Sequence, residues 1–111
     1  MATVPGCDRA LVEPAKVTDY LLSGVHPVGR AKARFFKRFG FRQDAPQELE
    51  QALLSHVRSN QIAVVDTLVH GTKYRVDGPI ASPDGRNPDA STIWIVRAGE
   101  ATPRFVTAFP C

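Results

Sequence analysis

The spacing of apolar residues is helical in the first half of the chain and alternating in the second half. In the first half, proline marks the start of each apolar stretch, and glycine or serine follows near its end. These signals predict three helices, over about residues 14–22, 27–39 and 46–59.

Beyond Ile62, β-branched residues and short turns replace the Leu, Ala and Glu of the preceding segment. This pattern predicts four strands, over about residues 62–70, 73–81, 91–97 and 104–109. Two connections are short enough for hairpins and the third has no room for a helix, so the sheet is expected to be an antiparallel meander. The predicted fold class is therefore α+β, with three N-terminal helices packed on one face of a four-stranded antiparallel meander sheet.

Length and composition favour one ordinary globular domain over residues 1–111, with its core at about 9–110. The chain has 111 residues, of which 43% are hydrophobic and 23% are charged. No apolar run is long enough to cross a bilayer and no signal-peptide pattern opens the chain, which predicts a cytoplasmic protein without a membrane partner. Cys7 and Cys111 lie near opposite ends and are interpreted as incidental thiols.

The positive charge is concentrated in one segment. Residues 20–43 contain no acid, whereas the rest of the chain is balanced or slightly acidic. Such a segment attracts phosphates or an acidic protein surface, although a charge run is often only a solvated helix face. Its six cations are Arg30, Lys32, Arg34, Lys37, Arg38 and Arg42.

Two residues of the second helix region suggest chemistry. A helical wheel places Lys32 in the middle of an apolar arc formed by Val28, Phe35, Phe36 and Phe39. A lysine there either extends to the edge of the arc or lies in a partly desolvated cleft, where it can act on an anion. His26 precedes the helix, where its ring can serve as a cap or as a catalyst beside a phosphate bound at the helix N-terminus.

The third and fourth strands are not polar throughout on either side, which suggests a half-buried groove on the second face of the sheet. We expect Trp94 in this groove, stacking on a base, with Thr92 and Thr107 donating hydrogen bonds to a phosphate. The alternative is that Trp94 belongs to the core and both threonines are ordinary strand residues. Lys73, Arg75 and Arg86 extend a cationic rim.

Several other chemistries have no signal in the sequence. The three histidines lack metal-ligand spacing, and there is no phosphate-binding glycine loop, dinucleotide motif or serine-elbow motif. We therefore expect neither a metal nor a cofactor.

Several short motifs carry a resemblance to a known family: HPVGRAKARFF at 26–36, FGF at 39–41, GTKY at 71–74, DGR at 84–86, TIW at 92–94 and FVTAFP at 105–110. Over about residues 9–110 the chain resembles a small bacterial domain family that occurs alone and as C-terminal modules of toxin-like polypeptides. The order of helices and strands is similar to the barnase, EndoU, colicin and RelE superfamily of ribonuclease toxins. This resemblance implies a toxin-type ribonuclease with a small antitoxin or immunity protein as partner. It points to His26, Lys32, Lys73, Arg86, Thr92 and Thr107.

The leading hypothesis is metal-independent cleavage of RNA, which needs an acid, a base and donors around the phosphorus. His26 is assigned as base or acid, and Lys32 and Arg86 as stabilisers of the phosphorane. Tyr74 or Trp94 is assigned to base stacking, and the remaining substrate-binding residues are Lys73, Arg30 and Arg34. The alternative is a non-catalytic module that binds RNA or an acidic protein through the basic helix 27–39.

Overall fold

A computed structural model describes residues 2–111 and confirms the α+β class, with the helices first and the sheet last. A short 3-10 turn precedes α1, and α1 continues directly into five residues of π-helix, which we call the π-turn. The elements are the 3-10 turn Cys7–Arg9, α1 Pro14–Lys16, the π-turn Val17–Leu21, α2 Gly29–Arg38, α3 Pro46–Ser59, β1 Ile62–Leu68, β2 Gly71–Pro79, β3 Asp89–Arg97 and β4 Arg104–Pro110.

The four strands form one antiparallel sheet in the order β1-β2-β3-β4, which is the predicted meander. Alternation along β3 places Ala90, Thr92 and Trp94 on the face that the helices cover, and all three are fully buried. The helices contribute Leu21, Phe36, Leu49, Leu53 and Val57 to the same core. The other face of the sheet carries Ile93 and Ile95, which are half-buried, and no helix among residues 2–111 covers it.

The helix predicted over 27–39 begins two residues later, at Gly29. The reason is local: the Nδ1 atom of His26 accepts the backbone N–H groups of Val28 (3.1 Å) and Gly29 (3.0 Å), while Pro27 and Val28 form the turn that leads into the helix. Val28 is the N-cap residue of α2, and the His26 side chain lies before it and accepts amides that the helix itself leaves unpaired.

The face by which α2 packs is also different from the predicted one. The buried residues of α2 are Gly29, Ala33 and Phe36, whereas Val28 is 61% exposed. Small residues allow the helix backbone to approach its neighbours closely, and Gly29 lies directly against the Tyr20 carbonyl. Lys32 consequently lies at the border of the packed face and not in its middle.

A buried polar chain joins α3 to the sheet. The Trp94 Nε1–H donates to the Thr92 hydroxyl at 2.8 Å, and that hydroxyl lies 3.0 Å from His56 Nδ1. His56 Nε2 faces the carbonyls of Gly78 and Ala90 at 3.0 Å, so it carries the ring proton and the Thr92 hydroxyl donates to Nδ1. Each polar side-chain atom of His56, Thr92 and Trp94 therefore has a hydrogen-bond partner, as buried polar groups require.

Candidate active site

The Tyr20 hydroxyl is the centre of a small polar cluster between the π-turn, α2 and the β4 edge of the sheet. Lys32 Nζ donates to it at 2.7 Å, and the Thr107 hydroxyl lies 3.1 Å away. The same amine lies 5.1 Å from the centre of the Tyr20 ring, which places it beyond the ring edge and beside the hydroxyl. The contact is therefore a charge-assisted hydrogen bond and not a cation–π contact over the ring face.

This cluster opens into a cavity of about 620 Å³. Most of its wall is apolar surface, and the polar groups that line it are the tyrosine, an imidazole, one ammonium group, two carboxylates and a threonine hydroxyl. The ammonium group is that of Lys16, which also donates to the Val106 carbonyl at 3.3 Å. The lining residues are Glu13, Ala15, Lys16, Asp19, Tyr20, His26, Val106 and Thr107.

The environment of Tyr20 changes its acidity. Partial burial raises the pKa of the phenol, but the hydrogen bonds from Lys32 and Thr107 and the charges of Lys32 and Lys16 outweigh burial and lower the pKa below 10.0. A tyrosine whose oxyanion is stabilised in this way releases its proton more readily than a free phenol. The cluster can therefore deliver a proton at Tyr20 Oη.

His26 belongs to the same site, with its ring edge-on to Tyr20 at a centroid distance of 5.0 Å. Taken with the Lys32 contact, this places the His26 ring and the Lys32 amine within about 10 Å of each other. Because Nδ1 accepts two backbone amides, the neutral ring carries its proton on Nε2. His26 in this state donates a hydrogen bond from Nε2 but cannot accept a proton there.

This geometry corrects the assignment of His26 as a base. To accept a proton, the ring would have to give up both amide contacts at the start of α2. The same contacts occupy the helix N-terminus that was expected to hold a phosphate.

Close packing holds Tyr20 against α2. A Cβ atom placed on Gly29 would lie 2.2 Å from the Tyr20 carbonyl oxygen, so only glycine fits at this contact. The π-turn closes with the Leu22 N–H bonded to the Val17 carbonyl at 2.9 Å, and its wider turn carries the Tyr20 ring to the sheet edge. π-helical turns of this kind are frequent at functional sites.

The structure places the other predicted residues elsewhere. Thr92 was predicted to donate a hydrogen bond to a phosphate and Trp94 to stack on a base, and both predictions are wrong. The two side chains are fully buried on the helix-covered face and hydrogen-bonded to each other. Arg86 lies at the far end of α2, where it pairs with Asp84 at 2.6 Å and donates to the Arg38 carbonyl at 2.7 Å. Since α2 is about 15 Å long, Arg86 is remote from Tyr20.

The substrate-binding residues predicted on β2 also lie outside the cluster. Tyr74 pairs with Trp94 and packs against the core, whereas its neighbour Lys73 points to the opposite face of the sheet. Lys73 and Tyr74 both line a separate cavity of about 270 Å³. Arg30 and Arg34 are each two residues from Lys32, so they project from the opposite side of α2.

Sequence reasoning missed Tyr20 and Lys16. Tyr20 shares a helical side with Val17 and Leu21, both fully buried, which makes it look like a core residue. The available signal was its hydroxyl, since a tyrosine at the edge of an apolar face usually places its polar tip on a partner.

The comparisons with known proteins identify the chain by family. A family model described as "Domain of unknown function (DUF6883)" matches residues 3–111, and the chain belongs to this family. No curated protein and no solved structure matches the chain.

Two further observations concern residues 2–111. No helix there combines the length and the apolar character that a bilayer crossing needs. No three His, Cys, Asp or Glu side chains in that range come together as a potential metal site.

Proposed function

We propose that this protein is a metal-independent ribonuclease of the toxin type, acting in the cytoplasm. One observation carries the proposal: the Tyr20 hydroxyl, with its lowered pKa, is held by Lys32 and Thr107 in an open cavity that His26 also lines. Cleavage of a phosphodiester without a metal needs a proton donor, a proton acceptor and hydrogen-bond donors around one phosphate.

The proposed step is an internal transfer within the RNA. The ribose 2′-oxygen attacks the adjacent phosphorus while the bond from phosphorus to the 5′-oxygen breaks. Tyr20 gives its proton to the departing 5′-oxygen, and Lys32 stabilises the tyrosinate that remains. A carboxylate at the cavity wall, from Glu13 or Asp19, accepts the proton of the 2′-hydroxyl. The products are a 2′,3′-cyclic phosphate and a free 5′-hydroxyl.

The other polar groups act on the phosphate. His26 donates from Nε2 to a phosphate oxygen, a role that its contacts with the backbone amides leave open. The Lys16 amine supplies a positive charge at the same wall of the cavity. Such fixed donors stabilise the charge that develops on the phosphorane oxygens.

The tyrosines provide a matched test, since the chain contains only Tyr20 and Tyr74. Purified protein is incubated with a fluorescent oligoribonucleotide in the presence of EDTA, and the ends of the products are analysed. We expect Tyr20→Phe and Lys32→Met to lower kcat by about a hundredfold or more, as loss of general acid catalysis does. Tyr74→Phe removes a hydroxyl outside the cavity and should retain activity.

Full activity of Tyr20→Phe would contradict the assigned role of Tyr20. Absence of cleavage by the unmodified protein, across RNAs of varied sequence, would contradict the ribonuclease itself.

The toxin role and the neutralising partner protein rest on the family resemblance. Controlled expression in bacteria, with and without the neighbouring gene, tests both together. We expect growth to stop and RNA to be degraded only when the neighbouring gene is absent. Normal growth in both cultures would count against the toxin role.

A further inference from the structure

A second groove, of about 410 Å³, runs along one flank of α2. Three cations line it, Arg30, Arg34 and Lys37, and the remaining lining residues are Gly24 and Ala33. No acid lines the groove. Within the described part of the chain, all four ion pairs are made by other arginines, namely Arg42, Arg75, Arg86 and Arg104. The three cations of the groove are therefore free to meet an anion from outside.

The groove begins beside the candidate active site. Gly24 lines the groove and His26, two residues later, lines the cavity with Tyr20. The loop that contains both residues and leads into α2 exposes two apolar side chains, Val25 at 89% and Val28 at 61%. A strand that crosses this loop connects the cavity with the groove, whose arginines project from the side of α2 opposite to Lys32.

The cations follow the helix at positions i, i+4 and i+7, which places them in one row about 10 Å long. A row of this length is enough for two or three consecutive phosphates of one strand. Polar surface predominates in the lining of the groove, whereas the buried centre of a protein–protein interface is mostly apolar. These features favour a sugar-phosphate backbone over an acidic protein segment.

We propose that this groove binds the backbone of single-stranded RNA next to the phosphate held in the Tyr20 cavity. The choice of RNA rests on the proposed function. Arginine and lysine contact phosphate oxygens without reading bases, so the groove contributes affinity and orientation but no sequence preference. The apolar tips of the loop meet the nucleotide that crosses between the two sites.

The test measures binding separately from cleavage. A fluorescent 2′-O-methyl oligoribonucleotide of ten nucleotides lacks the attacking hydroxyl, and its affinity is followed by anisotropy as a function of salt. Removing two phosphate contacts from a single strand should reduce the slope of log affinity against log salt by about 1.4. We expect this reduction in the double variant Arg30→Gln, Arg34→Gln.

The control is the double variant Arg9→Gln, Arg97→Gln, which changes the net charge equally at exposed positions outside the groove. Its slope should match that of the unmodified protein. Equal slopes in the two double variants would overturn the proposal. Tighter binding of a polyglutamate peptide than of the RNA, lost in Arg30→Gln, Arg34→Gln, would overturn it in favour of a protein partner.

The two proposals fail in different ways. A changed slope without cleavage of unmodified RNA supports the groove and overturns the ribonuclease. Cleavage that requires Tyr20, with an unchanged slope, supports the ribonuclease and overturns the groove.

Discussion

Replacing Gly29 with alanine tests how the site is held together. The added Cβ would lie 2.2 Å from the Tyr20 carbonyl oxygen, and contacts below 3.0 Å are essentially never seen. The π-turn and α2 must therefore separate by at least about 0.8 Å. Because the atom in contact belongs to the backbone, no side-chain rotation can relieve the clash.

Two opposing effects set the magnitude. Overpacking of this kind costs about 1–3 kcal/mol, whereas alanine improves helix propensity by at most about 1 kcal/mol. We expect Gly29→Ala to lower the free energy of unfolding by about 1–2 kcal/mol, measured by urea denaturation. Gly24→Ala is the matched control, since its Cβ would meet only the end of Lys37 at 4.0 Å and should leave stability almost unchanged.

The same variant should alter the acidity of Tyr20. Separation of the π-turn from α2 lengthens the bond from Lys32, so the pKa of Tyr20 should return toward 10.0. Absorbance titration in a Tyr74→Phe background isolates the single remaining tyrosine. A Gly29→Ala protein with raised stability and an unchanged Tyr20 titration would refute the packing argument.

Three further predictions concern the core and the far end of α2. Thr92→Val leaves His56 Nδ1 and the Trp94 N–H buried without partners, so the free energy of unfolding measured by urea denaturation should fall by about 2–4 kcal/mol. A loss below about 1 kcal/mol would contradict the hydrogen bonding of Thr92 to His56 and Trp94. Burial lowers the pKa of His56 below 6.5, so the folded state loses stability as the pH falls below about 6.5 toward that lowered pKa. Thermal denaturation at several pH values should show this loss of stability, and the His56→Gln protein should not show it. Arg86→Gln loses an exposed ion pair and a bond to a helix carbonyl, and should cost less than about 1 kcal/mol by denaturation without changing RNA cleavage.

The secondary structure was largely predictable because its signals are local. Pro46 at a helix start and the alternation along β3 each act over a few residues, and α3 has the predicted bounds. The start of α2 was misplaced by two residues because the His26 side chain accepts the amides that precede the helix, and its ring geometry is not encoded in a periodicity.

The site was only partly predictable because it depends on which face packs. The helical wheel of α2 predicted that the phenylalanine side packs on the rest of the protein. The observed contact is made by Gly29, and the need for glycine there is visible only once the π-turn lies against it. In β3, alternation groups Thr92 with Trp94 without telling which side the helices cover. Lys32, His26 and Thr107 were recognised, and Tyr20, which joins them, was not.

The cluster around Tyr20 draws each of its members from a different segment: the tyrosine from the π-turn, Lys32 from the middle of α2, Thr107 from the last strand and His26 from a loop. If any one of these segments detaches from the others, the four side chains no longer meet around the Tyr20 hydroxyl. Local opening that detaches any one of these segments should therefore abolish the proposed RNA cleavage at a temperature or denaturant concentration below that of global unfolding.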